Sequence, residues 1–185
     1  MKKTITRAGA GATKKKGLII VHTGDGKGKT TAALGVALRA CGYGMKVLML
    51  QFFKGKWKYG ELRSAPKLGS LEISPMGKGF TWESKDIEVD KAMIRSAWEV
   101  AKTKMYSGNF EIVILDEINY ALGYGFLDVN DVLEFLKEKP PMLHVILTGR
   151  GAKPEIIEIA DLVTEMRQVK HPFEQGIVAQ RGIEF

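Results

Sequence analysis

The sequence predicts an α/β fold: a mostly parallel, doubly wound sheet with helices on both faces. Three observations predict it. Short apolar runs alternate with longer helical patterns along the chain, which is the signature of strand–helix–strand units. The runs are rich in Val, Ile and Leu without polar alternation, as strands covered on both sides require. The first run leads into a glycine-rich turn that opens a helix, so loops and helix N-termini are expected to converge beyond the carboxyl ends of the strands.

Taken in order, residues 1–16 carry six Lys and Arg, no acid and the small-residue run Ala8-Gly9-Ala10-Gly11-Ala12. Such a segment buries too little apolar surface to offset its ordering and is expected to be a flexible basic arm. A single domain is expected over 17–185. Strands are expected at 18–22, 46–52, 112–115 and 143–148, with two further strands at 71–74 and 162–166. Helices are expected at 29–40 and 132–139, and the longest near 86–105. There Val89, Met93, Ala97, Ala101 and Met105 recur at a spacing of four and predict one buried face.

Length and composition set the frame. A chain of 185 residues, 45% hydrophobic and 26% charged, fits one ordinary globular domain and excludes collagen, coiled-coil and disulfide-scaffold classes. Cys41 is the single cysteine, so no internal disulfide forms and a reducing cytoplasm is the expected setting. Apolar stretches reach four or five residues, far short of the roughly 18 of a membrane span, and no secretory core is visible. Neither membrane insertion nor export is expected. The net charge of +7 suggests nucleic acid until it is located: with the arm set aside, the remainder carries only +1. No specific nucleic-acid partner is therefore expected.

The loop Thr23-Gly24-Asp25-Gly26-Lys27-Gly28-Lys29-Thr30-Thr31 reads as a phosphate cradle. Glycines let backbone N–H groups curl around an anion, and the following helix adds the positive end of its dipole. Gly24, Asp25, Gly26, Lys27, Gly28, Lys29, Thr30 and Thr31 are the expected phosphate contacts, with the Lys29 ammonium on phosphate oxygens and the Thr30 hydroxyl on magnesium. Thr23 stands where the strict phosphate-loop pattern has glycine, so the match is a variant. A dinucleotide fingerprint fails in both registers, because Lys29 or Thr31 falls on its third glycine.

The strand at 112–115 ends in Asp116-Glu117. An acid there completes a metal shell on the side opposite the phosphates, so Asp116 and Glu117 join Thr30 as candidate magnesium ligands. Arg39, ten residues after Lys29, and Arg150, which closes Thr148-Gly149-Arg150, are candidate phosphate contacts. Arginine suits sites where several phosphate oxygens are held together.

Phosphate binding alone leaves open an ATPase or small-molecule kinase, a nucleic-acid motor, an enzyme using another part of ATP, and a non-catalytic binding module. Aromatic residues grouped in glycine-flanked loops, at Phe52-Phe53, Trp57 and Tyr59, and Phe80 and Trp82, point to a flat apolar ligand or partner, or else to a satellite core beneath the loops.

The run 23–31, the segment Gln51-Phe52-Phe53-Lys54-Gly55, Gly79-Phe80-Thr81-Trp82-Glu83, Leu115-Asp116-Glu117, Thr148-Gly149-Arg150 and the ending from Lys170-His171-Pro172-Phe173 to Ala179-Gln180-Arg181-Gly182-Ile183 resemble, in this order, the ATP:corrinoid adenosyltransferases. The resemblance runs from about residue 17 to 185. It implies a RecA-like phosphate-loop fold and transfer of the 5′-deoxyadenosyl group of ATP to cobalt(I) of a reduced corrinoid, with triphosphate leaving and Mg2+ or Mn2+ as the metal. It also implies that ATP lies in the loop in the reverse sense to ordinary ATPases. Lys29, Phe80 and Trp82 become the catalytic residues, the two aromatics on the lower corrin face where displacing the axial ligand makes cobalt(II) easier to reduce. By the same resemblance Glu117 is a metal ligand, Arg39 a phosphate or subunit contact, the protein a homodimer with the arm closing over a neighbouring site, and reduced flavodoxin or a similar donor its electron source. The sequence departs from the common family pattern at Ile118-Asn119, where Leu-Thr is more usual, and keeps Tyr120.

Overall fold

The computed structural model describes residues 14–55, 59–77 and 87–185. Six strands, β1 (Ile19–Thr23), β2 (Val47–Gln51), β3 (Leu71–Pro75), β4 (Ile112–Asp116), β5 (His144–Thr148) and β6 (Leu162–Glu165), form one sheet in the order β3-β2-β4-β5-β1-β6. Every pairing is parallel. The helices are α1 (Lys29–Cys41), α2 (Gly60–Leu68), α3 (Ile87–Tyr106), α4 (Ile118–Gly123), α5 (Val129–Glu138) and α6 (Pro154–Ile159).

Two cores lie on opposite faces of the sheet, so the doubly wound expectation holds. On one face Val47, Met49, Ile112, Ile114 and Ile146 meet Ala33, Ala37 and Ala40 of α1. Alanines at that spacing let the helix approach the sheet closely. Alternate residues of the same strands, Leu48, Leu50, Val113, Leu115, Val145 and Leu147, pack on the opposite face against α3 to α6. Each central strand therefore buries both sides, and β2 and β4 are buried at every residue. The edge strands differ: β3 is mostly half-buried and β6 is exposed throughout, since each has a neighbour on one side only.

The buried face of α3 departs from the spacing-of-four expectation. Ile94, Ala97, Trp98, Ala101 and Met105 are buried, whereas Val89 is exposed and Met93 only half-buried. At 3.6 residues per turn a strict spacing of four drifts around the helix, and the larger Ile94 and Trp98 take the inward stripe in its first half. Trp98 is buried at a polar cost met locally: its indole N–H donates to Asp131 Oδ2 at 2.7 Å. Helix α5 starts three residues earlier than expected because Asp128 caps it, accepting from the Asn130 N–H at 2.9 Å.

Gly17 is held against the segment that leads into β5. Its N–H donates to Pro141 O, and a Cβ there would stand 2.1 Å from Leu143 O. Only glycine fits. Residues 1–13 of the basic arm lie outside the described residues, and Lys16 at its end pairs with Asp161.

Candidate active site

The carboxyl ends of β1, β4 and β5 carry the site, with β5 standing between the glycine-rich loop and the acid pair. The loop leaves β1 after Thr23 and enters α1 at Gly28, which has φ +111. Helix α1 has no side-chain cap and no acid in its first turn, so its opening N–H groups and dipole face the loop unopposed. Lys29 folds back into the loop, donating to Gly24 O and Gly26 O at 2.7 Å each. Burial, then the nearby Arg150, holds its pKa below the usual lysine value. An ammonium held on two carbonyls inside a glycine-rich turn is placed to exchange them for phosphate oxygens.

Two glycines of this loop answer to something beyond an anion. Cβ atoms at Gly24 and Gly26 would stand 2.5 Å and 2.8 Å from Met166 O, because the backbone leaving β6 runs directly over the loop. The Gly26 N–H donates to that same carbonyl at 2.6 Å and so is turned away from the cradle. Lys27 pairs with Glu184 of the following segment.

Asp116 is fully buried at the end of β4, and its carboxylate meets four polar side chains. Its Oδ1 accepts from the hydroxyls of Thr30 and Thr148, both at 2.8 Å. Its Oδ2 faces the Gln51 amide and the Lys54 ammonium, each at 3.5 Å. Lys54 in turn meets Glu61 Oε1 at 3.0 Å and stands 4.8 Å from the centre of the Tyr59 ring. Burial opposes the charge on Lys54, but Asp116 and Glu61 outweigh it and raise its pKa.

Glu117 contrasts with its neighbour. It is the one non-glycine residue with a left-handed backbone among those described, at φ +67, and its N–H donates to Thr148 Oγ1 at 2.8 Å. The strained turn brings its carboxylate beside Asp116 with Oε2 buried and unpartnered. Burial, then the negative charge of Asp116, pushes its pKa up to about 7. Asn119 Nδ2 donates to Gly149 O at 3.1 Å and braces the turn that carries Arg150, whose Nε lies 3.9 Å from Asp25 Oδ1.

Hard oxygen donors of this kind fit magnesium. Asp116 spends its oxygens on hydrogen bonds; it orients the Thr30 hydroxyl, whose lone pairs stay free, while Glu117 offers the free carboxylate oxygen. Among the described residues no three His, Cys, Asp or Glu cluster closely enough to hold a metal by themselves. That suits an ion which keeps its waters and takes ligands from substrate phosphates.

Of the residues singled out from sequence, Gly24, Asp25, Gly26, Lys27, Gly28, Lys29, Thr30, Asp116, Glu117 and Arg150 share this corner. Thr31 is exposed on α1 beside it. Arg39 sits exposed in the last turn of α1, about 15 Å along the axis from Lys29, and is not brought to the loop by this chain. Phe80, Trp82 and Trp57 lie outside the described residues. Phe52 and Phe53 belong to the core, which favours the satellite-core side of the aromatic expectation for that pair. Sequence reading missed Gln51, Lys54, Glu61 and Thr148 as members of the site. Three of them carried a signal: Gln51, Lys54 and Thr148 stand at or just beyond the carboxyl ends of β2 and β5, where the same rule that selected Asp116 applies.

The chain matches the profile of the family described as ATP:corrinoid adenosyltransferase BtuR/CobO/CobP over residues 15–185. It is 51% identical over 176 residues to the corrinoid adenosyltransferase of a Sinorhizobium species, covering 94% of this chain and 82% of that protein. The corrinoid adenosyltransferase of Pseudomonas aeruginosa is 46% identical, with 95% and 87% covered, and that of Escherichia coli K12 is 44% identical, with 95% and 89% covered. Among solved structures, flagellar accessory protein FlaH from Methanocaldococcus jannaschii superposes with a TM-score of 0.50 at 17% identity, over 80% of this chain and 70% of that one, a likeness of fold alone. An all-parallel sheet carrying a phosphate loop after its first strand, a strand-end acid hydrogen-bonded to the loop threonine and a profile match from residue 15 to 185 lead to one conclusion: the chain belongs to the ATP:corrinoid adenosyltransferase family, on a RecA-like α/β fold.

Proposed function

We propose that this protein transfers the 5′-deoxyadenosyl group of ATP to cobalt(I) of a reduced corrinoid, releasing inorganic triphosphate, in the biosynthesis or salvage of adenosylcobalamin. The observation that carries the proposal is the match of family and site: a chain of this family presents a lysine-and-threonine phosphate loop whose Thr30 is hydrogen-bonded to Asp116. Cobalt(I) of the substrate supplies the electron pair that forms the bond to C5′, and the C5′–O bond breaks with its electrons leaving on triphosphate. The cobalt ends formally as cobalt(III). A nucleophile this strong needs no protein base, so the chain has two tasks: to hold C5′ in line and to stabilise charge on the leaving group.

Lys29, the opening amides of α1 and Arg150 serve the leaving triphosphate, in an ATP that lies in the reverse sense to ordinary ATPases. Thr30 and Glu117 hold magnesium, with Asp116 orienting Thr30. The metal, when bound, neutralises charge on the departing phosphates. Phe80 and Trp82 cover the lower corrin face and exclude its axial ligand. The working form is a cytoplasmic homodimer in which Arg39 serves a subunit contact, the basic arm closes over the neighbouring site, and reduced flavodoxin or a similar donor supplies electrons. Among the described residues no helix is long and apolar enough to cross a membrane.

A strand-end acid near a phosphate loop also suits hydrolysis or phosphoryl transfer, and the products separate these reactions. Protein mixed anaerobically with ATP, magnesium and chemically reduced cobalamin is expected to yield a light-sensitive alkyl-cobalt spectrum with triphosphate. ADP accumulating without spectral change would establish an ATPase or kinase instead.

A further inference from the structure

We infer that Lys54 is a positioning residue that acts as the built-in counter-ion of the acid pair, holding Asp116 in the nucleotide-free protein and opposing any divalent cation that arrives without phosphate. The inference rests on the magnesium assignment above. Lys54 follows β2 by three residues, and the last residue of β2, Gln51, is the register partner of Asp116. Its ammonium therefore enters the corner from the side of β2, opposite the phosphate loop on β1. It is 12% exposed and lies 3.0 Å from Glu61 Oε1, 3.5 Å from Asp116 Oδ2 and 4.8 Å from the centre of the Tyr59 ring. A compact charge buried among two carboxylates and an aromatic face is screened little by solvent, so it acts on everything placed in that corner.

A cation entering alone meets poor terms. Both Asp116 oxygens are already engaged, by two hydroxyls on one side and by Gln51 and Lys54 on the other. What remains is the Glu117 carboxylate, its Oε2 unpartnered, and the Thr30 hydroxyl, with a fixed positive charge beside them. A cation arriving with triphosphate brings its own oxygen ligands and its own negative charge, and both penalties shrink. Lys54 thus makes metal uptake conditional on nucleotide, while Glu61 keeps the ammonium from swinging out when the metal enters.

The test is Mn2+ titrated alone into the nucleotide-free full-length protein, with free aquo-manganese followed by electron paramagnetic resonance. Lys54→Met keeps the aliphatic stem and removes the charge; it is expected to bind Mn2+ at least about tenfold more tightly than wild type, a floor set well below the roughly thousandfold that one unit charge a few ångström away gives at an effective dielectric of about 20. Lys54→Arg keeps the charge and is expected to stay within about threefold of wild type. A residue that merely braced the fold would weaken Mn2+ binding when removed. A gain of less than about tenfold in Lys54→Met, or binding in Lys54→Arg as tight as in Lys54→Met, overturns the inference. If circular dichroism shows Lys54→Met unfolded, Lys54→Gln makes the same test. Adenosyl transfer by wild type is assayed in parallel. Tight Mn2+ binding in the neutral variant without wild-type transfer removes the reaction and keeps the counter-ion; transfer without the gain in affinity does the reverse.

Discussion

Replacing Glu117 by Gln should stabilise the protein while silencing it, and the size of the gain follows from the environment of the carboxylate. Burial and the adjoining Asp116 raise its pKa from 4.5 to about 7. Because the folded chain holds this proton more tightly than the unfolded chain, the associated stability is complete below pH 4.5 and is lost as pH rises to about 7. Gln, neutral at every pH and able to take the same left-handed backbone, suffers no such loss. At ~1.4 kcal/mol per pH unit, Glu117→Gln should exceed wild type by about 1 kcal/mol at pH 5.5 and about 3 kcal/mol at pH 8.5. For a chain of this size the larger figure corresponds to about 6–12 °C in Tm. Urea unfolding of both proteins in chelator, without nucleotide, across that range measures it. Parallel stability curves, or a variant less stable than wild type at pH 8.5, would show that the Glu117 carboxylate is solvated or compensated and refute the argument. Turnover of the same variant should fall sharply, since its free carboxylate oxygen is the proposed magnesium ligand.

Lys29→Ala should lower kcat/KM for ATP by about 10²–10³, the scale of losing one preorganised charge contact to the leaving group, with Tm little changed because the ammonium contacts only loop carbonyls. Steady-state kinetics beside a thermal melt checks both halves. Thr148→Val removes a donor to Asp116 and the acceptor of the Glu117 N–H, so urea unfolding should register a loss of about 2–3 kcal/mol. Phe80→Ala and Trp82→Ala should slow adenosylation at least about tenfold when the reaction starts from cobalt(II) with a reductant, yet spare it from pre-reduced cobalt(I), a contrast that assigns the loss to lower-face exclusion of the axial ligand. Full activity from cobalt(II) in both would remove these rings from the site.

The fold was legible because each central strand is apolar on both faces and each is followed by a helical pattern. Loop and acid pair were legible for a related reason: glycines, a lysine and paired carboxylates have few uses at strand ends other than phosphate and metal. The stripe of α3 was not, because Val89 and Met93 are as apolar as Ile94 and Trp98, and a spacing of four drifts off the stripe that a helix of 3.6 residues per turn buries. The missed half of the site is polar residues whose partners are other polar side chains. Nothing in Gln51 or Lys54 alone says that Asp116 stands across from them; that is a property of strand order, which places β2 beside β4 although α2, β3 and α3 intervene in the chain.

The same order has a consequence for how the protein is made. Strand β1 lies between β5 and β6, and the loop that follows it is closed from above by the backbone at Met166 and Arg167. During synthesis the glycine-rich turn leaves the ribosome early but lacks its two flanking strands until the last third of the chain has followed. The loop takes its final surroundings only once that segment has emerged, and a premature stop between α1 and β6 leaves a complete phosphate-loop motif with no roof.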